Sequence, residues 1–284
     1  MARGKDKLRR FAENLTFRCM VQPEFEEVFR TDFRLKGRWR EDFFGNPNPV
    51  VLELGCGRGE YTVSLAERYP DKNFIGVDIK GARMWRGAKT ATEQEMRNAG
   101  FLRTRIEFID SCFAPGEVDE IWITFPDPQL RKGRVKKRLT APEFLTRYAR
   151  FLRPGGPIHL KSDCRHLHDY TRTVAEGNAL PIEACNTDIY GTGFADDLLS
   201  IKSDSSPRAY RSPTSASRWT ATRSSLRSNS PRTSCCRDKP HDRATIHRTG
   251  REGTGKHRNR TNETASEQPT LFKKARRGLR KRQA

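Results

Sequence analysis

From residue 49 onward, short apolar runs alternate with amphipathic stretches. Val50-Val51-Leu52-Glu53-Leu54, Asn73-Phe74-Ile75-Gly76-Val77, Arg105-Ile106-Glu107-Phe108-Ile109, Glu120-Ile121-Trp122-Ile123-Thr124-Phe125 and Pro157-Ile158-His159-Leu160-Lys161-Ser162 are too short for helices, and Gly, Pro or Asp bounds them. They read as buried strands. Residues 61–68, 82–98 and 141–151 carry a helical pattern, and Leu152-Arg153-Pro154-Gly155-Gly156 stops the last of these before the fifth strand. Strands and helices in this alternation predict βαβ units: an α/β, Rossmann-like, doubly wound and mostly parallel sheet. Ahead of it, residues 24–35 are expected to form a helix packing on the sheet.

The pattern divides the chain into three parts: a basic lead-in of residues 1–47, the α/β domain of residues 48–202, and a tail of residues 203–284. The tail has only five Leu, Ile, Val or Phe residues, and Ser, Thr, Arg and Pro dominate it. So little apolar surface cannot offset the entropy of ordering, and the tail is expected to be disordered, with the final sheet strands missing. Charge follows the same division. The net charge is +20, with 21 Lys/Arg against 6 Asp/Glu in the tail, or +15, leaving +5 for residues 1–202. A polyanionic partner is expected. The seven scattered cysteines form no C-x-x-C pair, so we expect reduced thiols, no metal and a cytoplasmic protein. No run is long enough to span a membrane, and the N-terminus lacks the apolar core of a signal peptide.

The chemistry concentrates at the ends of the apolar runs. The first passes into Gly55-Cys56-Gly57-Arg58-Gly59-Glu60, a turn whose glycines let backbone N–H groups approach a ligand. Successive runs lead to Asp78, Asp110, Asp127 between two prolines, and Asp163. Strand ends of an open parallel sheet line one crevice, so these carboxylates are expected to share a rim with Glu53. The spacing G-x-G-x-G, with acidic Glu53 before it and Glu60 after it, disfavours a pyrophosphate and therefore a dinucleotide oxidoreductase. A cation bearing an amino group and a sulfonium suits it better, which points to S-adenosylmethionine. Asp78 is placed for the two ribose hydroxyls and Asp110 for the adenine side. Met84 and Trp85 read as core rather than cofactor contacts.

Five segments together, Glu53-Leu-Gly-Cys-Gly-Arg-Gly59, Gly76-Val-Asp-Ile-Lys-Gly81, Ile123-Thr-Phe-Pro-Asp-Pro128, Lys136-Lys-Arg-Leu139 and Leu160-Lys-Ser-Asp163, resemble the bacterial tRNA (guanine-N7)-methyltransferases over residues 5–202. The resemblance implies a class I methyltransferase fold and methyl transfer from S-adenosylmethionine to guanine N7 in the tRNA variable loop. By it, Glu53, Gly55, Gly57, Gly59, Asp78, Asp110 and Asp127 face the methyl donor, with Asp127 at the catalytic centre. Arg131 and Asp163 face the target nucleotide. The basic run Arg131, Lys132, Arg134, Lys136, Lys137 and Arg138 then reads as a phosphate clamp, and Lys5, Lys7, Arg9 and Arg10 read either as a solvated tail or as an arm on RNA phosphates. tRNA is the expected partner, of a monomer or homodimer.

The resemblance ends near Lys202. The family's Thr-x-[Phe/Tyr]-Glu motif does not follow, and Arg/Ser/Thr/Pro enrichment with Cys235-Cys236 is what an out-of-frame GC-rich gene encodes. A genuine basic RNA-binding tail is the alternative. The rivals for the whole chain are a class I methyltransferase on a small molecule or protein, and an RNA-binding protein that has lost its activity.

Overall fold

A computed structural model describes residues 2–188 and the strand Ser215–Thr220. Its centre is an eight-stranded sheet: β1 (Met20–Val21), β2 (Val50–Leu54), β3 (Asn73–Asp78), β4 (Ala99–Arg103), β5 (Glu120–Thr124), β6 (Pro157–Ser162), β7 (Ile182–Asn186) and β8 (Ser215–Thr220), in the order β1-β4-β3-β2-β5-β6-β8-β7. The first six strands in that order are parallel, and β8 runs antiparallel to both β6 and β7. The chain leaves β2 toward β3 and β4 on one side, then returns to lay β5 and β6 on the other. The order therefore reverses between β2 and β5, where the carboxyl ends open a crevice.

Alternation along β2 distributes its side chains to two cores. Val50, Leu52 and Leu54 join Ile75, Val77, Ile121, Ile123, Ile158 and Leu160 on one face. Val51 joins Val63, Leu65, Phe74, Met84, Ala88, Phe101 and Trp122 on the other. Two-residue periodicity places Glu53 on this second face, along with Gly76, Asp78, Thr124 and Lys161. The face is covered by α3 (Glu60–Arg68) and α4 (Gly81–Glu93), whose amphipathic stripes supply Val63, Leu65, Met84 and Ala88. Helices α5 (Pro142–Tyr148) and α6 (Arg165–Gly177) contribute Leu145, Tyr148, Leu167 and Val174 to the first face. Among the described residues no helix is long and apolar enough to cross a membrane.

The fold departs from the sequence reading in four places. The strand expected at 105–109 is instead β4, Ala99–Arg103, and Ile106–Ser111 is a 3-10 helix. Small residues hid the true strand: Gly100 lacks a side chain because the Phe43 ring stands 2.6 Å from where its Cβ would be. The helix expected over 24–35 is a single turn, α2 (Phe25–Val28), after which Phe29 is extended and Arg30 takes φ 61°. The basic lead-in opens with a helix, α1 (Ala2–Asn14), docked on α4 by the buried Asn14 Nδ2 donating to Gly81 O at 2.9 Å and by Trp85 Nε1 donating to Glu13 at 2.8 Å.

The fourth departure is β8, which lies inside the stretch expected to lack strands. Its apolar content is low, but a strand between two neighbours has both backbone edges paired; here Pro157–Ser162 and Ile182–Asn186 supply the ladders. The expectation of disorder for the rest of 203–284 lies outside the described residues.

Candidate active site

The glycine turn after β2 takes left-handed backbone at Gly55, Gly57 and Gly59, with φ of 79°, 57° and 76°. At Gly59 a side chain is excluded twice over: its φ favours glycine, and a Cβ would lie 2.4 Å from the Phe101 ring. The turn is fastened to β3 by Gly55 N and Cys56 N donating to Val77 O, and by Gly57 N donating to Asp78 Oδ2 at 3.0 Å. The other Asp78 oxygen accepts from Lys80 N at 2.8 Å. Both oxygens retain further acceptor capacity. A Cβ on Gly57 would stand 3.6 Å from Arg83 Nη2, so a guanidinium flanks the turn.

Glu53 is not on the rim with the other carboxylates. It is buried (3% exposed), and its two oxygens accept from Thr62 Oγ1 and Thr124 Oγ1, each at 2.5 Å. Gly76 makes room for this cluster, since a Cβ there would be 2.5 Å from Thr62 Oγ1. Burial, reinforced by the nearby Asp78 carboxylate, raises the Glu53 pKa to about 7 despite both hydroxyl donors. A desolvated carboxylate of this kind gains stability from an adjacent cation. Thr62 and Thr124 had no legible signal in the sequence.

Asp110 stands elsewhere than expected. The residue paired with Asp78 at the end of β4 is Arg103. Asp110 lies beyond it on the 3-10 helix, its carboxylate taken by Arg150 at 2.7 Å and Arg147 at 3.5 Å. Its place follows from the shifted strand: once β4 ends at Arg103, residues 106–111 turn away to pack toward α5.

The loop after β5 runs Phe125-Pro126-Asp127-Pro128-Gln129, and both Phe125 and Gln129 take φ 45°, a conformation costly for residues other than glycine. Phe125 N donates to Lys161 O at 2.8 Å, and the exposed Asp127 accepts through Oδ1 from Gln129 N at 3.0 Å. Arg138 closes the loop from behind. It is buried (2% exposed), donating to Pro128 O at 3.0 Å and Gln129 O at 3.3 Å, and its guanidinium lies 4.2 Å from the Tyr170 ring centroid. Its place in the expected phosphate clamp is therefore corrected: it fastens the Asp127 loop and does not face solvent with its neighbours.

Arg131, Lys132, Arg134, Lys136 and Lys137 are exposed on the 3-10 helix Lys132–Lys137 and its leading residue. A single weak contact, Lys136 to Glu143 at 3.7 Å, engages Lys136. Asp163 is exposed immediately after β6, at the same end of the sheet as Asp127. The buried Lys161 precedes it, its pKa lowered to about 8 by burial. Met84 is buried in the core, as expected, whereas Trp85 is half-buried outside it, donating to Glu13 with Arg9, Arg10 and Lys89 over its ring. Among the described residues no group of three or more His, Cys, Asp or Glu is arranged to hold a metal.

A family model described as "Putative methyltransferase" matches residues 47–189. A tRNA (guanine-N(7)-)-methyltransferase of Bacteroides thetaiotaomicron is 50% identical over 199 residues, covering 70% of this chain and 78% of that one. One from Christiangramia forsetii is 55% identical over 192 residues, covering 68% and 86%. Among solved structures, a 30S ribosomal A1408 methyltransferase from an uncultured bacterium aligns with a TM-score of 0.46 at 16% identity, over 61% of this chain and 88% of that one.

Proposed function

We propose that this chain, which belongs to the tRNA (guanine-N(7)-)-methyltransferase family, transfers a methyl group from S-adenosylmethionine to N7 of a guanine in the tRNA variable loop. The observation that carries the reading is a receptor for a cation, built from a buried and a rim carboxylate, at the same end of the sheet as a fastened carboxylate loop beside exposed basic residues. Glu53 and Asp78 form the receptor, and the loop holds Asp127. The residues fit the donor. Glu53 gives up desolvation cost to a positive ligand, the Gly55–Gly59 turn admits close backbone approach, and Asp78 keeps acceptor capacity for a ribose diol.

When bound, S-adenosylmethionine supplies a methyl whose bond to sulfur breaks as its bond to N7 forms, leaving a neutral thioether and a positively charged purine. No proton leaves N7, so no side chain has to act as a base. The protein's task is positioning, which lowers barriers by several kcal/mol, of order 7 or more in favourable cases. Asp127 accepts from the N1–H and N2–H edge of the guanine and favours the positive charge that develops on it. Asp163 supports the same edge. Arg131, Arg134, Lys136 and Lys137 hold phosphates without reading bases. Asp110, tied to α5, holds the 3-10 helix and does not belong to this donor set.

A cytoplasmic location belongs to this reading, since that is where the substrate is. So does a reading-frame change after Lys202, supported by the absence of the Thr-x-[Phe/Tyr]-Glu motif; the chain as written then works more slowly than one carrying that motif. The reading is tested by offering the protein labelled S-adenosylmethionine with either unmodified tRNA or small amines and peptides. Label in tRNA alone supports it, and label confined to the other acceptors overturns it.

A further inference from the structure

Phe125 is an aromatic ring that the donor and phosphate contacts leave unused. It directly follows β5, two residues before Asp127, and it is 40% exposed. Its neighbours belong to the crevice: Thr124 before it holds Glu53, and its ring meets that of Tyr61, the second residue of α3, at 6.0 Å between centroids. Lys161 Nζ stands 5.5 Å from the Tyr61 ring and 5.8 Å from the Phe125 ring, so these faces already meet one cation.

The backbone at this ring is held against its preference. A φ of 45° is disfavoured for any bulky residue, and a following proline restricts the preceding residue further. Three fastenings offset the cost: Phe125 N to Lys161 O, Gln129 N to Asp127, and the buried Arg138 on Pro128 O and Gln129 O. Strain retained at an exposed aromatic in a catalytic loop marks a ring whose direction matters.

From this geometry, and resting on the methyltransferase reading above, we infer that Phe125 stacks on the target guanine and binds it more tightly as methylation makes it a cation. Stacking fixes the plane of the base while Asp127 fixes its edge, and together these orient N7. The π face attracts a positive ring more than a neutral one, so the contact strengthens along the reaction and persists in the product. The ring is then a positioning group that also stabilises the transition state.

Two substitutions test this. Phe125→Gly removes the ring but suits the left-handed backbone, so the loop should keep its fold and the melting temperature should hold or rise. Phe125→Tyr keeps a stacking face. Binding of guanosine 5′-monophosphate and 7-methylguanosine 5′-monophosphate, followed by saturation-transfer NMR, should show the wild-type protein preferring the methylated nucleotide by roughly three- to tenfold. Phe125→Gly should lose that preference and Phe125→Tyr should retain it.

In methyl transfer to tRNA, Phe125→Gly should lower kcat at least tenfold with KM for tRNA within about twofold, while S-adenosylmethionine affinity is unchanged. Equal preference for the two nucleotides in wild type and Phe125→Gly, or an unaltered kcat, would overturn the inference and leave the methyltransferase reading standing. A wild-type protein that methylates no tRNA would instead overturn that reading.

Discussion

Replacing Glu53 by Gln probes the proposed donor pocket through the protein's own stability. The amide keeps the shape of the side chain and can still meet Thr62 and Thr124, both of which can donate or accept. What it removes is a titration. The Glu53 carboxyl is raised from 4.5 to about 7, so the folded state holds its proton more tightly than the unfolded chain does. Its contribution to stability is complete below pH 4.5 and is lost as pH rises through 7. A shift of that size corresponds to about 3 kcal/mol. The glutamine variant has no such loss. Its stability relative to wild type should therefore rise from near zero at pH 4.5 to about 3 kcal/mol above pH 7, or roughly 6 to 12 °C in Tm.

Urea and thermal unfolding of both proteins without ligand, from pH 4.5 to 8.5, read this difference directly. A cationic donor favours the ionised carboxylate. Calorimetry near pH 6.5 in two buffers of different ionisation enthalpy should accordingly show proton release on donor binding by wild type and none by Glu53→Gln. A stability difference that does not change with pH would refute the assignment of Glu53 as a desolvated carboxylate awaiting a cation.

Asp78→Ala should weaken S-adenosylmethionine binding by roughly 1 to 3 kcal/mol, the scale of lost charge-assisted hydrogen bonds, and an unchanged affinity by calorimetry would remove Asp78 from the pocket. Replacing Lys136 and Lys137 together by Ala should weaken tRNA binding and lower the slope of log K against log salt by about 1 to 2, with donor affinity intact; an unaltered slope would make them solvated side chains only. Arg138→Ala should behave differently, lowering unfolding free energy by roughly 2 to 4 kcal/mol, because it leaves Pro128 O and Gln129 O without their donor. If urea unfolding of that variant matches wild type while tRNA binding falls, Arg138 belongs with the clamp after all.

Much of the fold around the candidate site was legible in the sequence, and the misses share causes. Apolar runs with branched and aromatic residues, such as Val50–Leu54 and Glu120–Thr124, declared themselves as strands, and the parallel order placed Asp78, Asp127 and Asp163 at one end of the sheet. Ala99–Arg103 did not, because Ala99 and Gly100 present little apolar bulk and Gly100 leaves room for the Phe43 ring. The error displaced Asp110 from its expected position. Arg138 read as one more charge in a basic run. Only the approach of Tyr170 and two loop carbonyls, all set by tertiary packing, shows that it is buried. Strand β8 was illegible because its pairing on both edges, not its composition, makes it a strand.

The central claim is a methyl group placed on N7 of one guanine, oriented by Asp127. It is tested most directly by incubating unmodified tRNA and S-adenosylmethionine with three proteins: this chain, a version with the reading frame restored after Lys202, and the Asp127→Ala variant of the restored version. Product is mapped by chemical cleavage at N7-methylguanine. The account predicts cleavage at a single variable-loop guanine, weak with this chain, strong with the restored one and at least a hundredfold reduced by Asp127→Ala, a loss on the scale of removing a positioned catalytic group. Equal cleavage by the first two proteins would show that the chain after Lys202, β8 included, serves as well as the restored sequence. No cleavage by either, or undiminished cleavage by the Asp127 variant, would contradict the account.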